Sequence, residues 1–495
     1  MFPHTDGILD MFPHTDDIHS GVSGHVENIG VMENFFDLGG TSLLVTNVVI
    51  AADRKGYSIA FKDVFDNPTP KQLAALVGES GTVREEPSDP ALSDYDYSKI
   101  DGVLQKNTLA AFSGGKVRRL GNILLTGAAG YLGIHILREL IGQEDGDRVI
   151  YCMLRSKKDT SAEARLSAMY FYYFDTVISE LYGSRVVVVD GDVTDRVVLS
   201  GLEDKGIDTV INCAAVVKHF SAGTLIEDVN VGGAVNLIDF CLKTGSAFIQ
   251  TSTMSVVNSA YKEDIPDGFA PDERNLYCSQ ILDNKYIHSK FLAERSVLEA
   301  VAEQGLRGKI MRLGNLAPRH SDGEFQINFR TNSAMGRLKA FAMLRCAAYD
   351  QLSGTMEFSP IDYVAKAIVL LSGTPDDCTV FHVFNDQRIS FGNIFREMRE
   401  LGYEIAFVER EDFAKAFARV QSDPKRAQTL TSIMAYMQSA NGQEVVNLTR
   451  KCDYTLQVLY RLGFQWPFTT WDYISRFIGA LNGLGFFDDV SFEEA

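Results

Sequence analysis

Residues 122–133, NILLTGAAGYLG, restrict the possible folds more than any other stretch of the chain. A short apolar run stops at three spaced glycines, Gly127, Gly130 and Gly133, and the helical pattern GIHILREL begins at the last of them. Each glycine has a separate task in such a turn. Gly127 permits the tight reversal, Gly130 lets the backbone approach a bound anion, and Gly133 lets helix and strand pack closely. The first helical turn then offers unpaired N–H groups and the positive end of its dipole to a pyrophosphate. Thr126, Gly127, Gly130, Tyr131, Leu132 and Gly133 are therefore candidate dinucleotide-binding residues.

Similar apolar runs recur as RVIYCMLR (148–155), RVVVVDGD (185–192), DTVINCAA (208–215), AFIQTST (247–253) and KIMRLGN (309–315), separated by helical patterns. Strands that are apolar on both faces and alternate with helices predict a parallel sheet covered on both sides, a doubly wound α/β domain of Rossmann type. Beyond about residue 320, patterns such as NSAMGRLKAFAMLRCAAY predict a mainly helical C-terminal subdomain for substrate. A chain of 495 residues exceeds the roughly 250–300 that one core supports. A boundary is expected in residues 81–99, where two prolines and several acids leave almost no aliphatic residue. The expected organisation is a small acidic unit at 1–80, a linker at 81–99 and the α/β part at 100–495. Within that part the nucleotide-binding half is expected at about 118–320 and the helical half at about 321–495.

The net charge of -18 argues against nucleic-acid binding, which calls for clustered basic surface. Seven widely spaced cysteines without a CxxC read as reduced thiols of a cytoplasmic protein, not as a disulfide framework or a zinc site, and no metal is expected. No run of about 18 uncharged apolar residues predicts a membrane span, and no secretory leader is expected. The hexapeptide MFPHTD stands at residues 1–6 and again at 11–16, and no function is drawn from it.

The second strand ends at Arg155, where a cation would take the 2′-phosphate of NADP and a carboxylate would take the ribose of NAD. This predicts NADPH, with Arg165, Lys157 and Lys158 adding positive charge and Asp159 standing as a counter-signal. Asp192 and Val193 fall where adenine would lie, and Ala214, Ala215 and Val216 end the fourth strand beside the cleft. Further on, NKYIHSKFLAE puts Tyr286 and Lys290 four apart on one helix face. A neutral phenol is a poor acid or base at pH 7, and a neighbouring ammonium would lower its pKa. Thr253, at the end of the fifth strand, is the expected partner of Tyr286 at a substrate carbonyl, with Ser252 or Ser255 as alternatives.

On LLTGAAGYLG, LRSKKDTSAEARL, GDVT, NCAAVVKHF and YIHSK, residues 100 to about 320 resemble the thioester reductase domains of the extended short-chain dehydrogenase/reductase family. Upstream, FFDLGGTSL resembles the carrier-protein motif whose serine, here Ser42, receives 4′-phosphopantetheine. KDVFDNPTPKQLAALV resembles the third and fourth helices of that small helical bundle, whereas HTDDIHSGVSGHVENIG lacks the amphipathic period of its first helix. Together the two resemblances imply the terminal carrier and reductase domains of a nonribosomal peptide synthetase. They imply NADPH-dependent release of a carrier-tethered acyl or peptidyl thioester as an aldehyde, with possible further reduction to an alcohol. A phosphopantetheinyl transferase and upstream synthetase modules are the implied partners. Two rival readings are a short-chain dehydrogenase acting on a nucleotide sugar, which would need no Ser42 unit, and a redox-inactive nucleotide-binding or cyclising domain, which would not need the Tyr286/Lys290 pair.

Overall fold

A computed structural model of the chain describes residues 30–35, 37, 45, 48–49, 52, 59, 61–77, 90–112, 117–143, 148–217, 224–257, 269–280, 282, 284–421, 426, 428–430 and 451–490. Ser42, the MFPHTD duplication and the expected first carrier helix lie outside the described residues. The chain divides into two compact units, one of residues 1–95 with 218–225 and 284–286, the other of 96–217, 226–283 and 287–495.

In the first unit, two helices, α1 (Phe61–Asp66) and α2 (Pro70–Val77), occupy the KDVFDNPTPKQLAALV segment. The start of α2 is written in its sequence. Thr69 accepts from the Gln72 N–H at 3.2 Å, the Gln72 side chain accepts from the Thr69 N–H at 3.2 Å, and proline takes the first helical position, where no N–H is needed. Val45, Val48, Val49 and Ala52 are helical and buried at the spacing of one helix face, and Phe35, Val64 and Leu73 are buried with no exposure.

The second unit is built on β1 (Asn122–Thr126), α3 (Tyr131–Gly142), β2 (Ile150–Leu154), α4 (Ala162–Phe174), β3 (Val186–Asp190), β4 (Ile207–Asn212), α5 (Gly233–Thr244), β5 (Ala247–Thr253), α6 (Lys285–Gln304) from its third residue on, and β6 (Gly308–Leu313). A helix, α7 (Ile361–Ser372), and a seventh strand, β7 (Val380–Val383), complete the sheet. All pairings are parallel, in the order β7-β6-β5-β4-β1-β2-β3. The chain reverses its direction of winding between β1 and β4, so the crevice beyond their carboxyl ends is where such sheets bind ligands.

The six expected strands are present, and the fold is the doubly wound α/β architecture. The division at about residue 320 does not hold. α7 and β7 belong to the nucleotide-binding layer, with β7 hydrogen-bonded along β6 and α7 packed against α3. A four-residue strand that arrives some sixty residues late carries little local signal. The end of the expected linker is also structured, because Ser98 and Lys99 open a short helix (Ser98–Leu104) that buries Ile100, Val103 and Leu104. The remaining C-terminal residues form a second core around Phe341, Phe358, Phe395 and Phe477, built from helices α8 (Ser333–Leu344), α9 (Phe391–Glu400) and α10 (Trp471–Gly483). Among the described residues three two-stranded pairs, one of them Cys346–Ala348 with Ala406–Val408, accompany the helices of this mainly helical part. Among the described residues no helix is long and apolar enough to cross a membrane.

Candidate active site

The turn after β1 has the form the glycines require. Gly127 lies at φ +64, and a Cβ there would sit 2.8 Å from the backbone of Cys213 and Ala214. A Cβ on Gly133 would lie 2.3 Å from the carbonyl oxygen of Gly127, so only glycine lets α3 start this close to the strand. Gly130 differs. A Cβ there would meet only the Gly127 oxygen, at 3.1 Å, and is otherwise open. Gly130 is also the extended residue before α3, and no side chain caps the helix. The first amides of α3 therefore face a backbone cradle that a Cβ at Gly130 would enter, which fits a pyrophosphate.

Tyr131 contributes only its backbone to this cradle. Its hydroxyl donates to the Ala317 carbonyl at 3.0 Å and its ring packs against His135, Tyr173 and Phe325, so the side chain joins the two cores of the unit. Leu132 likewise packs on the first core. Arg155 is 68% exposed, with Nη1 3.2 Å from Asp192 Oδ2, and Arg165 donates to the Arg155 carbonyl. The structure thus brings Arg155, Arg165 and Asp192 together, and Asp192 also accepts from the Thr194 N–H and hydroxyl at 3.0 and 2.8 Å. Lys157, Lys158 and Asp159 are exposed, while Val193 is buried.

Beyond β4, Ala214, Ala215 and Val216 are half-buried. Val216 is clasped by Asn230, which accepts from its N–H at 2.8 Å and donates to its carbonyl at 3.0 Å while also reaching Ser289 at 2.9 Å. Asn230 sits in a π-helical turn (Asp228–Gly232), a feature frequent at functional sites. The sequence reading missed it, because an asparagine in a helical run that also holds Glu227, Asp228 and Asn236 gives no distinct local signal.

Thr253 ends β5, half-buried, and its Oγ1 accepts from the Ser255 N–H at 3.2 Å, a bond that does not use its own hydroxyl hydrogen. Ser252 points to the other face of the strand and is buried. Tyr286 and Lys290 occupy successive turns at the start of α6. Lys290 is 3% exposed, and its ammonium donates to the Thr251 carbonyl at 3.1 Å. Burial pulls the lysine down to about 8, against the opposing influence of Cys213 and Glu294. Burial also pushes the Tyr286 phenol up to about 12. The expected depression of Tyr286 by Lys290 is therefore not found, because the ammonium is engaged with the strand and desolvation dominates the phenol. A phenol that stays protonated at neutral pH is a proton donor, which suits a reduction.

A buried polar row ties the cradle to the lysine. Thr126, Asn212 and Gln250 stand in register across β1, β4 and β5. Thr126 donates to Asn212 at 2.6 Å, Asn212 to Gln250 at 2.9 Å, and Gln250 to the Thr251 carbonyl at 2.9 Å, the same oxygen that holds Lys290. Each buried amide is satisfied, so the row fixes the strand ends without the penalty of an orphaned polar group.

The NAD-binding family described as male sterility protein matches residues 125–368, and the family described as phosphopantetheine attachment site matches residues 21–77, a span that includes Ser42. The solved structure of a thiolation-reductase di-domain from an archaeal non-ribosomal peptide synthetase is 38% identical, with 98% of each chain covered and a TM-score of 0.87. The L-2-aminoadipate reductase large subunit of Eremothecium gossypii is 26% identical over 78% of this chain and 29% of its own length. The isonitrile lipopeptide synthase of Streptomyces coeruleorubidus is 24% identical over 92% of this chain and 31% of its own length. The chain thus spans less than a third of these two relatives.

Proposed function

The chain belongs to the thiolation-reductase di-domains of non-ribosomal peptide synthetases, and we propose that it releases a carrier-bound acyl or peptidyl thioester by reduction with NADPH. In this reading residues 1–80 are the carrier, the linker runs from 81 to the helix that opens at Ser98, and the reductase follows to 495. Ser42 carries the 4′-phosphopantetheine arm, installed by a phosphopantetheinyl transferase and loaded by upstream synthetase modules in the cytoplasm.

NADPH, when bound, supplies the hydride. The amides of Gly130 to Gly133 hold its pyrophosphate, with Thr126 and Gly127 shaping the turn and Tyr131 and Leu132 contributing backbone alone. Arg155 and Arg165 take the 2′-phosphate, Asp192 and Val193 flank the adenine, and Ala214, Ala215 and Val216 line the cleft. Lys290 binds at the nicotinamide ribose beside Tyr286. Thr253 and Tyr286 donate to the carbonyl oxygen as negative charge develops there, the interaction that lowers the barrier. Overall, the thioester would take up a hydride equivalent and a proton to give an aldehyde and the free pantetheine thiol, leaving NADP+.

What carries the reading is that a phosphopantetheine attachment family and a reductase fold occur in this order in one chain that aligns end to end with a thiolation-reductase di-domain. The test loads the protein with coenzyme A and a transferase, then with an acyl group, and follows NADPH oxidation. Ser42→Ala is expected to gain no pantetheine mass and release nothing. Tyr286→Phe is expected to load normally and to turn over about 100-fold or more slowly. Unchanged turnover by Tyr286→Phe would overturn the mechanism.

A further inference from the structure

A fully buried ion pair lies one helical turn beyond Lys290. Arg312 on β6 and Glu294 on α6 both have side chains with no exposure. The guanidinium Nε donates to the two carboxylate oxygens at 3.1 and 3.0 Å, and Nη2 donates at 2.7 Å. Arg312 Nη1 lies 3.2 Å from His382 Nε2 on β7, and His382 Nδ1 lies 2.6 Å from the Lys451 carbonyl. Because a guanidinium can only donate, Nε2 accepts and Nδ1 carries the hydrogen to Lys451, so this histidine is neutral.

Such a pair is poorly explained by stability. Desolvating two charges costs several kcal/mol per ion, and apolar side chains of the same volume often do as well. Its position offers another account, since Glu294 is one turn beyond Lys290 on the same helix. Among the described residues, few groups face the Lys290 ammonium. From β5 it has the Thr251 carbonyl, and from the end of β4 the Cys213 thiol, which burial pushes up to about 12 and so keeps neutral. From its own helix it has Glu294. Behind the pair, Cys278 faces Arg312, and Asp272 faces His382. Glu294 is thus the carboxylate that supports a cation in a dry site.

We propose that Glu294 is a positioning residue whose carboxylate, clamped by Arg312, holds the Lys290 side chain in its ammonium form for the reaction. The inference rests on the reductase reading above. Glu294→Gln removes the supporting charge and leaves Arg312 uncompensated, so Lys290 sheds its proton at lower pH. The alkaline limb of NADPH oxidation with a loaded acyl thioester should move down by about one pH unit or more, a loss of about fivefold or more at pH 8. Glu294→Asp keeps the charge and should keep the limb, even where it lowers Tm.

A lysine 13Cε NMR titration reads Lys290 without turnover, assigned by comparison with Lys290→Met, and separates the two claims. If the parent protein never oxidises NADPH with thioesters, the reductase reading fails, while a lower Lys290 titration in Glu294→Gln still supports the Glu294 assignment. A folded Glu294→Gln protein whose limb and Lys290 titration match the parent overturns it. Should that variant not fold, Glu294→Gln/Arg312→Met removes both charges and carries the same test. Its limb is expected below that of the parent, and a limb equal to the parent's overturns the proposal.

Discussion

Gly130 and Gly133 differ by three positions, yet alanine at each should fail in a different way. At Gly133 the added Cβ would stand 2.3 Å from the Gly127 carbonyl oxygen, 2.9 Å from its carbon and 3.0 Å from the Ala128 Cα, all backbone atoms that no rotamer can move. Ordinary contact demands that α3 retreat by about 1 Å, and such overpacking typically costs about 1–3 kcal/mol. At about 1 °C per kcal/mol for a unit this large, Tm should fall by about 1–4 °C. A 1 Å displacement of the helix also takes its amides off the pyrophosphate, which is worth about 100-fold in turnover. At Gly130 the Cβ meets only the Gly127 oxygen, at 3.1 Å, and φ is -77, which alanine adopts freely. Gly130→Ala should keep its Tm, since surface changes of this kind stay within about 0.5 kcal/mol, while weakening NADPH by about tenfold or more as the methyl enters the cradle. Differential scanning fluorimetry and quenching of NADPH fluorescence read the two effects separately. A Gly133→Ala protein with parental Tm and affinity, or a Gly130→Ala protein with parental affinity, would refute the assignment of these amides.

Three further outcomes follow from the same site. With Lys290 drawn down to about 8, the single-turnover rate of NADPH oxidation should hold below that pH and fall tenfold per unit above it, as the ammonium is lost. Arg155→Ala should cost about 10- to 100-fold in kcat/KM for NADPH, the value of a charge-assisted bond of about 1.5–3 kcal/mol, while sparing NADH and Tm because the side chain is exposed. Equal losses with both cofactors would exclude Arg155 as the 2′-phosphate ligand. Burial lifts the Glu273 carboxyl from 4.5 to about 7 although it accepts from the Thr455 N–H and hydroxyl. The folded state therefore binds the extra proton between these values, and the stabilisation present below pH 4.5 is lost as pH rises through about 7. Glu273→Gln should be more stable than the parent at pH 8, by roughly 1–3 kcal/mol, with the gap closing at pH 5 in urea titrations.

Much of this could be read before the structure because it is local. The cradle depends on residues within one turn of each other, and the Tyr286/Lys290 spacing is set by helix geometry alone. Apolar runs gave six strands because burial on both faces leaves no alternation to misread. What escaped depends on distant partners. β7 is four residues long and holds a buried histidine, which reads as an interruption until Arg312 is found 70 positions away. Glu294 looks like an exposed helix residue, and only the pairing of β6 with β7 and the packing of α6 make it interior. The direction of the Tyr131 ring was likewise invisible, since it is set by Tyr173 and Phe325 from other parts of the chain.

The central claim is reductive release, and the products of a protein loaded with an acyl thioester on Ser42 test it most directly. Mass spectrometry after addition of NADPH should find the free pantetheine thiol on the carrier and the acyl group as an aldehyde, with one NADPH oxidised per aldehyde, or as an alcohol with two. Release as a carboxylic acid with no NADPH oxidised, or a thioester that persists in full, would contradict it.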